Sequence, residues 1–190
     1  MGGQQSARVL GYGMLDRGHL TKHLLRLAQR VGVENVTMRG LAVEAGTSAS
    51  SVYYHVAGKA ELLDLLIEAV VNSIEVPTEG EWRARVVALY TNAFRVLVTV
   101  RGIAGLLQQH PHTTAAANMD GATHSILRES ELPKRTFEAA YVLLHVHLLG
   151  SVQLEHNRPA RAGRATARAE ATFRDGLQII LTGLAHSDTR

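Results

Sequence analysis

The chain has no cysteine among its 190 residues, which removes disulfides and thiolate-held metals from consideration. Aromatic residues make up only 5% of it, and its net charge is only +3. A pocket in such a chain is expected to be mostly aliphatic with a few polar groups, suited to a largely apolar natural product, drug or lipid-like metabolite. No apolar run reaches the roughly 18 residues of a membrane-spanning helix, so no membrane partner is expected. The N-terminal MGGQQSARVLGYGM lacks a long apolar stretch, which points to a cytoplasmic location. Absent too are the Gly-x-Ser-x-Gly elbow, the phosphate loop and the dinucleotide fingerprint. No motif pairs a nucleophile with a base, so the chain is not expected to be an enzyme.

Hydrophobic residues make up 46% of the chain, enough for a real core. The most informative stretch is TMRGLAVEAGTSASSVYYHVAGKAELL, Thr37 to Leu63. Thr37 is a good N-cap, and Met38, Leu41 and Ala42 fall at helical spacing. Gly46 suits the end of that short helix. Thr47 or Ser48 caps a second one, whose Val52 and Val56 point inward. Ser50, Ser51, Tyr53, Tyr54 and His55 are left mostly outside. Gly58 closes this helix, and Lys59 opens a longer one with a broad apolar stripe. Two short helices joined by a tight turn form a helix-turn-helix unit. Its second helix starts with Ala49, Ser50 and Ser51, short side chains that let a backbone come close to a major groove. A plain helical hairpin with a polar outer face would give the same local pattern. Residues 1–59 carry seven basic side chains against three acidic ones, so the excess positive charge sits in this part of the chain. That suits attraction to phosphates, though ordinary solvated charge looks the same.

LDRGHLTKHLLRLAQRVGVENVTMRGLAVEAG and VYYHVAGKAELLDLL carry a resemblance to the TetR family of transcriptional regulators, in its tetracycline repressor branch. The likeness covers about fifty residues, Leu15 to about Leu66, and continues more weakly in HLLGSVQLE and FRDGLQIILTGL. It implies an all-α fold: a three-helix helix-turn-helix head at residues 1–60, with 1–14 a flexible arm, and a larger helical effector-binding and dimerisation domain at 61–190. It implies that Thr37 and Lys59 hold phosphates and that Arg39 reaches a base edge. Ser48 sits at the start of the recognition helix. Ala49, Ser50 and Ser51 read bases, while Tyr53, Tyr54 and His55 anchor the helix on the DNA backbone. The partners implied are a palindromic double-stranded DNA operator, a second copy of the chain and a small-molecule effector that releases the DNA. Residues departing from the family at Ala49 to Ser51 mean that its operators cannot be transferred.

The rest of the chain reads as helices over 59–75, 81–100, 103–109, 113–128, 136–155 and 165–185, broken at Pro77, Pro111, Pro133 and a polar loop, 157–163. The last two helices are unusually apolar and would pair with their symmetry mates in a four-helix interface, with Leu144 and Leu181 expected in that seam. Trp82, Tyr90, Phe94, Leu106, Met119, Tyr141 and His145 are candidate pocket-lining residues. His147 joins them, and it and Glu155 fall where the tetracycline repressor branch has a His and a Glu. Each of these residues fits ordinary core packing equally well. His145 and His147, two apart on a helix, point to nearly opposite sides and cannot easily share an ion, and His110 and His112 have no carboxylate pattern beside them. No metal and no cofactor are expected. The competing reading is a sequence-specific or architectural DNA-binding protein with no effector, whose larger half would be packed solid.

Overall fold

The computed structural model describes residues 16–158 and 164–187, with side chains in the last helix over 167–184. The expected arm at 1–14 and most of the loop at 157–163 lie outside the described residues. Among the described residues the fold is all-α, with no strand. The helices are α1 Arg17–Val31, α2 Met38–Glu44, α3 Ala49–His55, α4 Lys59–Val71, α5 Trp82–Leu97, α6 Ile103–Gln109, α7 Thr114–Arg128, α8 Lys134–His156 and α9 Arg164–Ser187.

Each helix of the head begins on a short polar side chain. An Asp16 carboxylate oxygen accepts from the His19 amide at 2.7 Å, the Thr37 hydroxyl oxygen from Gly40 at 3.0 Å and the Ser48 hydroxyl oxygen from Ser51 at 3.2 Å. These bonds satisfy amide groups that a helix start otherwise leaves without partners. Leu20, Leu24, Leu27 and Ala28 bury one stripe of α1 against Leu41, Val52 and the stripe of α4. Fully burying a leucine of this kind contributes about 1.5–3 kcal/mol of transfer free energy.

Helix α4 ends at Val71, four residues earlier than the sequence suggests. The Ser73 hydroxyl donates to the Val70 carbonyl at 2.7 Å, and the Ile74 amide to Val71 at 3.0 Å. These tighter bonds turn the chain so that Ile74 folds back into the core. Beyond it, α5 runs through the middle of the larger half, against α4, α7, α8 and α9.

Two glycines face each other's neighbours where the halves meet. Gly32 (φ +78°) ends α1 beside Arg101, and Gly102 (φ +87°) starts α6 beside Val33. Positive φ at these close approaches favours glycine. Between them the Val33 amide donates to the Arg101 carbonyl at 2.9 Å.

By length and composition alone α8 could cross a membrane, with an 18-residue window of mean hydropathy 1.2. The sequence reading found no such run because His145, His147 and Gly150 interrupt it. The helix packs on α5, α6, α7 and α9. Its apolar character is divided between a buried stripe, Leu144, Leu148 and Val152, and an exposed one, Val142, Leu143, Val146 and Leu154. This corrects the expected dimer seam. Leu144 and Leu181 are both buried inside the chain, at 0% and 3% exposure, whereas Ile179 on α9 is 74% exposed.

Candidate nucleic-acid interface

Helix α3 is held by Val52 and the following Val56, both fully buried, with Ala49 packed partly against the same core. The rest of it turns wholly or partly outward. Tyr53 is 56% exposed and Tyr54 88%, with the Tyr54 and His55 rings in edge contact at 5.2 Å. Ser48 and Ser50 are exposed, and Ser51 and His55 are half-buried. The Ser48 and Ser50 hydroxyls lie 2.9 Å apart. The Ser48 oxygen thus caps the helix, and its hydroxyl hydrogen stays available to Ser50 or to an outside acceptor.

On α2, Thr37 and Arg39 are exposed. The charge of the head is narrower than its composition suggests. Arg17 pairs with Glu61 at 3.6 Å and Glu68 at 3.4 Å, while Arg26 and Arg30 meet Glu44 at 3.9 and 2.6 Å. Among the described residues of the head, Lys22, Arg39 and Lys59 are left without a carboxylate partner. Arg39 stands on the outer face beside α3, as a base or phosphate contact requires.

Lys59 is placed differently from a dedicated phosphate ligand. Its ammonium donates to the Val36 carbonyl and ties the start of α4 to the turn before α2. The α4 N-terminus also has a carboxylate beside it, because a Glu61 oxygen accepts from the Ala57 amide at 2.7 Å. Two of the three ammonium donors remain for an anion. Val43, 81% exposed, shares a face of α2 with Arg39 one turn away and escaped the sequence reading. Its i+4 spacing from Arg39 was the available signal.

In the larger half the candidate pocket residues fall into separate groups. Tyr90, Tyr141 and His145 come together where α5, α7 and α8 meet, and Met119 on α7 packs against the core. The buried Tyr90 hydroxyl lies 3.2 Å from His145 Nδ1 and 3.4 Å from the Thr123 hydroxyl. His145 Nε2 lies 3.1 Å from an Asp120 carboxylate oxygen. With the Nε2 proton directed to Asp120, Nδ1 accepts from Tyr90. Burial holds the Tyr90 hydroxyl above the usual phenol range. Burial, reinforced by the bond to the Asp120 carboxylate and by its charge, does the same for Tyr141.

Phe94 and His147 belong to a second group. The Phe173 ring is stacked between them, with centroids at 4.6 and 4.7 Å, and His147 Nε2 donates to the Phe173 carbonyl at 2.9 Å. His145 and His147 thus bond to different helices. Trp82 lies apart, with the Arg83 guanidinium over its ring at 4.3 Å, and Leu106 is buried on α6. Glu155 accepts from Arg158 at 2.9 Å. Among the described residues no three His, Asp or Glu side chains converge as a metal site would require.

Sequence reasoning missed Asp120 and His124, which lie within this first group. The signal was present as fourfold spacing: Asp120 and His124 on one helix, and Phe137, Tyr141 and His145 on the next. Three of the chain's nine Phe, Tyr and Trp residues, Tyr90, Phe137 and Tyr141, stand in this region.

Residues 20–66 match the family described as bacterial regulatory proteins, tetR family. Over 166 residues the chain is 30% identical to the HTH-type transcriptional repressor DrrR1 of Streptomyces coeruleorubidus, covering 84% of this chain and 59% of that protein. The chain therefore spans somewhat under two thirds of the length of that relative. Its fold is similar to the Streptomyces coelicolor TetR family protein ActR in complex with actinorhodin, with a TM-score of 0.70 at 21% identity over 93% of this chain and 99% of that one. It is equally similar to BioQ with its double-stranded DNA operator, with a TM-score of 0.70 at 20% identity over 90% and 99%.

Proposed function

We propose, from the premise that this chain is a TetR-family transcriptional regulator, that it is a homodimeric repressor released from a palindromic operator by a small-molecule effector. The observation that carries the DNA-binding half is α3. It is anchored by Val52 and Val56 and presents Ser50, Tyr53 and Tyr54 outward beside the unpaired Arg39. In this reading Thr37 and Lys59 hold phosphates, Arg39 reaches a base edge, and Ala49, Ser50 and Ser51 lie against the bases. Ser48 fixes the start of the helix, while Tyr53, Tyr54 and His55 hold it on the DNA backbone.

The apolar stripe of Val142, Leu143, Val146 and Leu154 with Ile179 supports pairing with a second copy. Between α8 and α9 it includes a groove of about 430 Å³ lined by Arg135, Ala139, Leu143, Ile179 and Gly183. A twofold pair would set two recognition helices about 34 Å apart, one turn of DNA. The relatives named above, one a repressor, one holding actinorhodin and one holding an operator, support this reading.

Coupling would run through α4. It is tied to α1 by Arg17 and to α6 by His110, whose Nδ1 lies 2.9 Å from an Asp64 oxygen. An effector that shifts the pair from 99:1 to 1:99 must discriminate the two states by about 5.5 kcal/mol, which two sites can share.

Selection from a random DNA pool at two salt concentrations tests the proposal. Enrichment of a palindrome, with loss of about tenfold or more in affinity for Arg39→Ala and Tyr53→Ala, is the expected result. Salt-sensitive binding without sequence preference would replace it with an architectural DNA-binding protein.

A further inference from the structure

A file of five rings leads from the outer flank of α7 and α8 to the buried Tyr90. Phe137 and His124 stack with centroids 5.5 Å apart and planes 9° from parallel, and His124 and Tyr141 at 4.4 Å and 14°. The file then turns: Tyr141 to His145 at 45° and His145 to Tyr90 at 88°. Its outer half is therefore a set of parallel faces. Its inner half is a hydrogen-bonded chain through Asp120, His145 and Tyr90.

From this arrangement we infer that the α7–α8 seam is a slot for a flat aromatic molecule with a hydroxyl on its inner edge, seated where His124 now lies. The inference rests on the effector-binding reading and names the class of effector. His124 is the replaceable ring. It is half-buried and makes no hydrogen bond to a described residue, so only its faces hold it. Phe137 and Tyr141, four apart on α8, stay to receive the incoming ring. Offset parallel stacking favours a flat π-system over a saturated ring of the same outline.

The inner edge has its own requirement. The Asp120 side chain is 36% exposed and already takes His145 at 3.1 Å and the Tyr141 hydroxyl. A carboxylate has about four lone-pair positions, so it accepts a further donor. The same negative charge excludes an anionic ligand at that point, since no Lys or Arg is paired with Asp120 among the described residues. A hydroxyl donor beside a flat ring satisfies both halves of the file.

Calorimetry on the full, DNA-free protein tests the slot with three probes of one skeleton. These are 2-naphthol, 2-methoxynaphthalene (flat, no donor) and decahydro-2-naphthol (a donor, not flat). The expected result is that 2-naphthol binds roughly tenfold or more tightly than either, a difference of one good hydrogen bond or one stacked face. Asp120→Asn, which keeps an oxygen acceptor but loses its charge, should reduce its advantage over 2-methoxynaphthalene. Phe137→Leu, which keeps apolar volume and loses the ring, should weaken both flat probes alike. His124→Ala should tighten them, because it empties the slot.

Equal affinity for flat and saturated probes would overturn the inference. So would indifference to Asp120→Asn, weaker binding to His124→Ala, or no binding of any probe to both the native protein and His124→Ala. Operator release is read separately. A probe that fills the slot without releasing DNA leaves the slot standing and removes the ligand-responsive repressor reading instead.

Discussion

The two halves of this molecule use polar side chains over different distances. In the head, Asp16, Thr37 and Ser48 each close a helix start three residues away. The larger half also caps helices locally, at Glu81 and Thr113, and the head has longer ties such as Lys59 to Val36, but the larger half adds partners far apart in sequence. Tyr90 meets His145, Arg95 meets Glu170 by two hydrogen bonds of 2.8 and 2.6 Å, and His156 Nε2 donates to the Val98 carbonyl at 3.0 Å. Local bonds satisfy the amides of a helix end wherever that helix is placed. Long-range bonds exist only after the helices have packed. The head should therefore lose stability in small, independent steps, while the larger half responds through contacts shared by several helices.

The largest expected effect lies on the outer face of α8 and α9. A charge at Leu143 or Ile179, as in Leu143→Glu or Ile179→Asp, would be buried unpaired in a symmetric interface. Association should weaken by roughly a hundredfold or more. Light scattering should read a monomer mass for these variants while circular dichroism stays that of the native chain. An unchanged dimer mass would move the interface elsewhere. Leu144→Glu differs because it puts a charge into the chain's own core, so it should unfold the larger half instead of separating two folded copies.

Next comes Gly176→Ala. A Cβ there would run into His147 Cε1 and Nε2, so the imidazole must shift on the face of Phe173. The cost should be about 1–3 kcal/mol, the range of overpacked cores, seen as a lower Tm. The double variant Gly176→Ala, His147→Ala should recover part of it. If the single variant is as stable as the native chain, the stack is not a fixed part of the core.

Ser48→Ala addresses the other side of the comparison. Loss of the cap on α3 should cost about 1 kcal/mol and should add to Gly176→Ala without coupling, because the two sites share no partner. Strong non-additivity in the denaturation free energies would show that head and body do not differ in the way argued here.

The smallest effect concerns acidity where the halves meet. Burial, only partly offset by the bond to the Val98 carbonyl, holds the His156 imidazole below its ordinary range. The folded state therefore favours neutral His156. The stability this contributes is fully present above the ordinary value of 6.5 and is lost as pH falls through the lower folded value. Tm should drop on mild acidification, and His156→Gln, which keeps a donor for Val98 and does not titrate, should lessen that drop. An identical pH profile in both proteins would reject the role of His156.

The head was legible in the sequence because its signals are short. Thr37, Gly46 and Ser48 mark helix ends by their own chemistry, and Val52 with Val56 fixes which way the recognition helix turns. The all-α architecture was legible for the same reason, since helical periodicity is visible within one element. Tertiary structure decided everything that depends on two elements at once. Lys59 turns back to Val36, and Glu61 takes the Ala57 amide at the start of α4. Leu143 and Leu144 are adjacent and equally apolar, yet α5 and α9 cover only one of them. His124 shares a helix face with Asp120, but it becomes part of a stacked file only when α7 lies on α8. A side chain's type and its place along a helix are properties of the chain. Which face of that helix meets solvent, a partner or a ligand follows from packing that no single segment encodes.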